Sequence, residues 1–82
     1  PDYAAKHGGQ VILYSTEWCG YCEQARQLMD ENEILYFEYD IEKSDEGRMQ
    51  HEKLGGKGVP VLLISGDVVK GYDPSKILAL AK

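Results

Sequence analysis

Two cysteines three residues apart, Cys19 and Cys22, lie in the segment Trp18-Cys19-Gly20-Tyr21-Cys22. Ahead of them runs Val11-Ile12-Leu13-Tyr14, the pattern of a buried strand, and from Glu23 onward the pattern is helical. A thiol pair where a strand hands over to a helix has a specific chemical use. The first turn of a helix offers unsatisfied backbone N–H groups and about half a unit of positive charge, and both favour a thiolate. A cysteine so placed can titrate at about 3.5–7.5 instead of about 8.5. Cys19 therefore reads as the exposed attacking thiol. Cys22, one turn further in, reads as the thiol that resolves a mixed disulfide.

Two other uses of the cysteines fit less well. A staple across so short a ring would remove only roughly 2 kcal/mol of loop entropy from the unfolded chain. A structural zinc site needs four ligands. Only His7 and His51 could join the pair, and neither stands at a recognised zinc spacing.

The rest of the chain has to position this pair. Its 82 residues make one domain, able to bury roughly 60–65% of its unfolded surface. A net charge of −5 argues against a nucleic-acid or anionic-membrane surface. The longest uncharged apolar run, from Val59 to Ile64, is far too short to span a bilayer. There is no repeat or low-complexity segment, and the chain is expected to act as a monomer. Two close cysteines do not resemble a secreted disulfide scaffold. The chain opens on Pro1 instead of Met, which suggests a processed product or an excised domain. The expected compartment is the cytoplasm, or the periplasm if a signal or a second domain preceded Pro1.

Residues 1–9 show no periodicity, end in Gly8-Gly9 and read as a flexible lead-in carrying a solvated His7, with the domain proper at 10–82. Gln10 to Ser15 reads as a strand buried on both faces. The apolar positions Cys22, Ala25, Leu28 and Met29 then mark a helix ending near Asn32. Tyr36 to Ile41 is the second strand, with Phe37 and Tyr39 on one face and Tyr36 on the other. Ser44 is placed to cap a second helix that runs to about Leu54. Its apolar stripe is thin, Met49 and Leu54 alone, and His51 on it reads as exposed. Pro60 to Ser65 and Val68 to Lys70 form a hairpin around Ser65-Gly66-Asp67. Asp73 and Pro74 open a last helix that buries Ile77, Leu78 and Ala81. The order is strand-helix-strand-helix-strand-strand-helix: an α/β domain with a mixed four-stranded sheet flanked by three helices. Its first two strands are parallel, joined by a right-handed crossover. A proline entering a central strand fits a ladder badly. Pro60 therefore points to a cis peptide bond, an ordinary trans strand-entry proline being the alternative.

Taken together, the strand, the Cys19-Gly20-Tyr21-Cys22 helix start, Gly58-Val59-Pro60 before a hairpin and the capped final helix resemble a glutaredoxin, from Val11 to Ala81. The resemblance implies a thioredoxin-like fold, with Cys19 attacking and Cys22 resolving. It also implies a cis Pro60 and a Val59 backbone that pairs with an extended thiol substrate. For glutathione, it implies Tyr21 packing beside the ligand, Lys57 meeting a carboxylate and Asp73 meeting the γ-glutamyl amine.

Some residues depart from the family pattern. Gly20 replaces the motif proline, and Trp18-Cys19-Gly20 is a thioredoxin-like opening. Thr16 stands where many glutaredoxins carry a lysine that aids the thiolate, and Glu17 adds a negative charge. Together these should leave the attacking thiol less acidic than in a typical glutaredoxin. Gly71-Tyr72-Asp73-Pro74 resembles the redoxins that serve ribonucleotide reductase, which take electrons from the flavoprotein thioredoxin reductase. The expected activity is reduction of protein or glutathione mixed disulfides with glutathione as co-substrate and reductant. The alternatives are a redoxin recharged by thioredoxin reductase, or a module holding a [2Fe–2S] cluster between two chains through Cys19 and glutathione. Bacterial glutaredoxin-like domains also resemble the Asp40-Ile41-Glu42-Lys43 and Leu54-Gly55-Gly56 stretches.

Overall fold

The computed structural model describes residues 3–82. A 3-10 helix at Tyr3–His7 precedes β1 (Val11–Ser15), α1 (Gly20–Glu31), β2 (Tyr36–Asp40), α2 (Asp45–Lys53), β3 (Val61–Ile64), β4 (Asp67–Lys70) and α3 (Pro74–Ala81). The strands form one mixed four-stranded sheet in the order β2-β1-β3-β4. β1 runs parallel to β2, from Val11 opposite Tyr36 to Ser15 opposite Asp40. β3 is antiparallel to both β1 and β4. The β3–β4 turn needs two consecutive positive φ angles, and Ser65 (50°) and Gly66 (85°) supply them.

Every residue of β1 and β3 is buried, as central strands covered on both faces require. Alternation sends their side chains into two cores. Val11, Leu13, Leu62 and Ile64 meet Ala25 and Met29 of α1 and Ile77 of α3. On the opposite face Ile12, Tyr14, Val61 and Leu63 pack with Tyr39 and Ala4. The helix that carries the cysteines is thus held down by one core, while α2 and the N-terminal 3-10 helix cover the other face.

Two segments differ from the reading above. On α2 the expected apolar stripe faces inward only in part: Leu54 packs against the core, but Met49 is exposed, while Gly47, Gln50 and His51 are buried. A buried amide is tolerable when it is hydrogen-bonded. Tyr14 donates to Gln50 Oε1 at 2.7 Å, and Gln50 in turn donates to Glu46 at 3.1 Å. His51, read as exposed, is buried with its Nε2 2.8 Å from the Gly58 carbonyl. At the N-terminus, the aromatic face of β2 gives the stretch read as an aperiodic lead-in something to pack on. Within Tyr3–His7, Ala4 is buried. The His7 ring stacks on Phe37 with centroids 3.8 Å apart, and its Nε2 meets the Tyr39 hydroxyl at 2.9 Å. His7 is not a solvated side chain; Pro1 and Asp2 lie outside the described residues.

Candidate active site

Cys19 occupies the N-cap of α1 with extended backbone (φ −87°, ψ 111°). Its Sγ accepts the Cys22 backbone N–H at 3.1 Å, so the sulfur does the work a serine or aspartate oxygen does at other helix starts. The thiol also reaches the Val59 carbonyl at 3.7 Å. Both contacts draw the sulfur inward, and Cys19 is only 8% exposed, not the open thiol expected from sequence. Cys22 is fully buried. Burial first, then its hydrogen bond with Cys19, push its thiol up to about 12, against a backbone hydrogen bond from Thr16 and the charge of Arg26. Cys22 therefore stays protonated at neutral pH. Of the two sulfurs, Cys19 is the one with any exposure.

The Val59–Pro60 peptide bond is cis, as the position of Pro60 in the sequence suggests. The loop in front of it is fastened on both sides. The Gly71 N–H donates to the Pro60 carbonyl at 2.8 Å. His51 Nε2 bonds the Gly58 carbonyl, and since a carbonyl only accepts, that nitrogen carries the proton. Gly56 leaves room for the ring, because a Cβ there would stand 2.5 Å from His51 Nε2. Among the described residues the Val59 N–H has no hydrogen-bond partner, while its carbonyl receives the Cys19 thiol.

A cleft of about 360 Å³ adjoins this loop. It is lined by Thr16 and Trp18 before the cysteines, Ile41 and Glu42 after β2, and Lys57, Gly58 and Val59 before Pro60. Trp18 is 70% exposed, and its indole N–H donates to both oxygens of Glu42, at 3.1 and 3.2 Å. Thr16 is buried, and its hydroxyl has no partner among the described residues. Of the binding residues inferred from sequence, Lys57 and Val59 line the cleft; Tyr21, Pro60 and Asp73 do not. Tyr21 is exposed and stacks on Tyr72, centroids 6.2 Å apart. Asp73 caps α3, its Oδ1 accepting the Lys76 N–H at 3.1 Å. Glu17 is ion-paired with Lys43, so its charge is not left free beside the thiols. The Trp18–Glu42 pair was not legible in the sequence, since its members lie on different connections.

A family model of glutaredoxin matches residues 11–69. The chain belongs to the glutaredoxin family. Over 64 residues it is 33% identical to a glutaredoxin of Pseudomonas aeruginosa, covering 77% of this chain and 76% of that one. A shorter match of 32 residues at 47% identity links it to a relative from Mycobacterium tuberculosis, covering 39% of this chain and 38% of that one. This glutaredoxin superposes on the NrdH-redoxin of Escherichia coli with a TM-score of 0.80 at 16% identity, over 89% of this chain and 96% of that one. It superposes on a buckwheat glutaredoxin–glutathione complex with a TM-score of 0.72 at 20% identity, over 90% and 77% of the two chains. The fold is thus the thioredoxin-like one of glutaredoxins and NrdH redoxins.

Beneath the cysteines, this glutaredoxin ties α1 to the sheet with a polar clamp. Arg26, one turn beyond Cys22, donates twice from Nε to the Glu38 carboxylate of β2, each at 2.9 Å, and once from Nη2 at 2.6 Å. Ser15, the last residue of β1, donates to the same carboxylate. Burial alone would raise the Glu38 carboxyl; the hydrogen bonds from Arg26 and Ser15 and the charge of Arg26 outweigh it and hold it below the usual value. The Arg26–Glu38–Ser15 cluster is thus polar but partnered.

Gly20 is the clearest departure from the glutaredoxin motif, and the geometry permits the usual residue. It is the first residue of α1, a Cβ there meets nothing within 4 Å, and Cys19 before it has the extended backbone that a following proline requires. Gly20→Pro should stabilise the protein by about 0.4–1 kcal/mol, chiefly by restricting the unfolded chain. Calorimetry should then show a melting temperature higher by about 2–8 °C. A lower value would mean that the α1 start is not free to accept the ring.

Proposed function

We propose that this protein is a thiol–disulfide oxidoreductase that reduces protein disulfides and mixed disulfides with glutathione. The observation that carries this is the placement of Cys19 Sγ at the helix N-cap, beside a cleft and an unpaired Val59 N–H, with a protonated Cys22 behind it. Cys19 attacks as the thiolate, the substrate S–S bond breaks and the leaving thiolate takes a proton from solvent. Cys22 then gives up its proton and attacks Cys19 Sγ. The second substrate thiol departs, leaving a Cys19–Cys22 disulfide. The Val59 N–H offers a substrate cysteine a strand-like contact beside Cys19.

Two electrons must return. Glutathione is the first reading of their source, supported by Lys57 in the cleft as a partner for a carboxylate and by a fold shared with a relative bound to glutathione. Recharging by thioredoxin reductase is the second, supported by an uncharged Thr16 at the cleft and an Asp73 already engaged as a helix cap. The cluster-holding alternative asks each chain for one thiol only, Cys19, with glutathione supplying the remaining ligands, and a brown colour on purification would favour it over either enzyme reading. Either electron source places the working protein where thiols stay reduced, as in the cytoplasm. The deciding assay supplies oxidised protein and a disulfide substrate with NADPH and either glutathione plus its reductase or thioredoxin reductase. NADPH consumption in the glutathione arm supports the first reading and in the other arm alone the second. Consumption in neither overturns the oxidoreductase proposal.

A further inference from the structure

We propose that Glu42, fixed on the indole N–H of Trp18, makes the cleft beside Cys19 favour cationic and neutral disulfides over anionic ones. The proposal rests on the oxidoreductase reading of Cys19 but on neither electron source. Its starting point is a carboxylate whose charge is held in place and not cancelled. Both Glu42 oxygens accept from the indole N–H, at 3.1 and 3.2 Å, and the indole is a neutral donor. Glu42 takes part in no ion pair among the described residues. Its backbone is fixed too, since the Glu42 N–H donates to Asp40 Oδ1 at 2.9 Å.

The neighbouring charges compensate it only in part. Lys43 is ion-paired with Glu17 and also feels Asp40 and Glu42, so this edge carries three carboxylates against one lysine. Thr16 contributes a hydroxyl where a basic residue would have offset them. Lys57 is the one cation among the cleft residues, and, partnering no carboxylate within ion-pair distance among the described residues, it offsets part of this negative charge. The largely exposed indole of Trp18 adds a face that attracts cations and not anions.

Cys19 touches the Val59 carbonyl on the wall of this cleft, so groups flanking a substrate disulfide on that side meet the charge of Glu42 when Cys19 attacks. In a protein substrate the favoured cysteine is one flanked by lysine, arginine or uncharged residues. Because Glu42 is exposed, its effect is screened, amounting to about two- to fivefold in rate at low salt and vanishing at high salt.

The test is a single turnover of the reduced protein with three small disulfides of different charge: cystamine (cationic), bis(2-hydroxyethyl) disulfide (neutral) and 3,3′-dithiodipropionate (anionic). In each, the protein dithiol becomes the Cys19–Cys22 disulfide and the reagent becomes two thiols, so no added reductant is needed. Acid quenching, alkylation and mass measurement count the remaining thiols. Each rate is divided by that of the same disulfide with dithiothreitol, which removes intrinsic reactivity. At low salt the normalised cystamine rate should exceed the dithiodipropionate rate by about tenfold. Glu42→Gln should lower that ratio about threefold, Lys57→Gln should raise it, and about 0.5 M KCl should flatten it. Glu33→Gln, at the opposite end of the sheet, controls for net charge. An unchanged ratio in Glu42→Gln, or an equal fall in Glu33→Gln, overturns the assignment to Glu42. Failure of all three disulfides to oxidise the wild type counts instead against the oxidoreductase reading.

Discussion

Replacing Cys19 by serine should reduce disulfide turnover by about three orders of magnitude or more, the scale on which loss of a nucleophile is felt, whereas Cys22→Ser should halt the reaction one step later. The asymmetry follows from position. Cys19 Sγ sits at the N-cap, beside the cleft and against the Val59 carbonyl. Cys22 is fully buried, with its thiol pushed up to about 12 by burial first and by its bond with Cys19. In Cys22→Ser the attacking sulfur is intact, so the variant should form a stable mixed disulfide with its substrate, seen as a covalent adduct by mass spectrometry. An added small thiol should release it and sustain some turnover of glutathionylated substrates. The same burial predicts that iodoacetamide at about pH 8 labels the reduced wild type at Cys19 alone, because only a thiolate that the reagent can reach reacts. Equal inactivation of both variants, with no trapped adduct, would contradict the assignment of attacking and resolving thiols.

The second large effect is one that helix propensity alone would get wrong in sign. Gly47 lies inside α2, where glycine to alanine ordinarily gains about 0.8–1 kcal/mol. Here a Cβ would stand 2.6 Å from Tyr39 Cβ and 2.9 Å from its Cγ. Those atoms are the root of the side chain and not a flexible end. The ring cannot swing aside without breaking its contacts with His7 at 2.9 Å and Glu46 at 3.2 Å and its stacking on Tyr14. Overpacking of this kind costs about 1–3 kcal/mol and outweighs the propensity gain. Gly47→Ala should therefore destabilise the protein by about 1–2 kcal/mol, with a fall in melting temperature of roughly 5–15 °C. A rise on urea or thermal unfolding would show that α2 can shift away from β2.

Residues that act through local spacing were legible directly. The uninterrupted apolar runs at Val11–Ser15 and Val61–Ile64 specify central strands because both faces of those strands must be covered. The Cys19–Cys22 spacing, falling at a strand-to-helix junction, specifies one sulfur at the helix cap and one a turn inside. Ser44, Asp73 and Pro74 mark helix starts by chemistry that needs no tertiary partner. The parallel pairing of β1 and β2 likewise follows from a helical crossover between them.

Tertiary structure decided what depends on partners far away in the chain. Gln50 and His51 look like surface residues of a weakly apolar helix, and they are buried because Tyr14 and the Gly58 carbonyl satisfy their polar atoms. His7 looks like part of a tail, and it is held because Phe37 and Tyr39 present an aromatic face to it. The same holds for Trp18 with Glu42, Glu17 with Lys43 and Arg26 with Glu38, ion pairs and hydrogen bonds that periodicity cannot express. The sequence by itself therefore determined which sulfur caps the helix and how the sheet is built, since hydrophobic period and helix capping are properties of neighbours along the chain. How far Cys19 is exposed and what charge surrounds its cleft were decided only on folding, because burial and pairing depend on residues that the chain brings together from a distance.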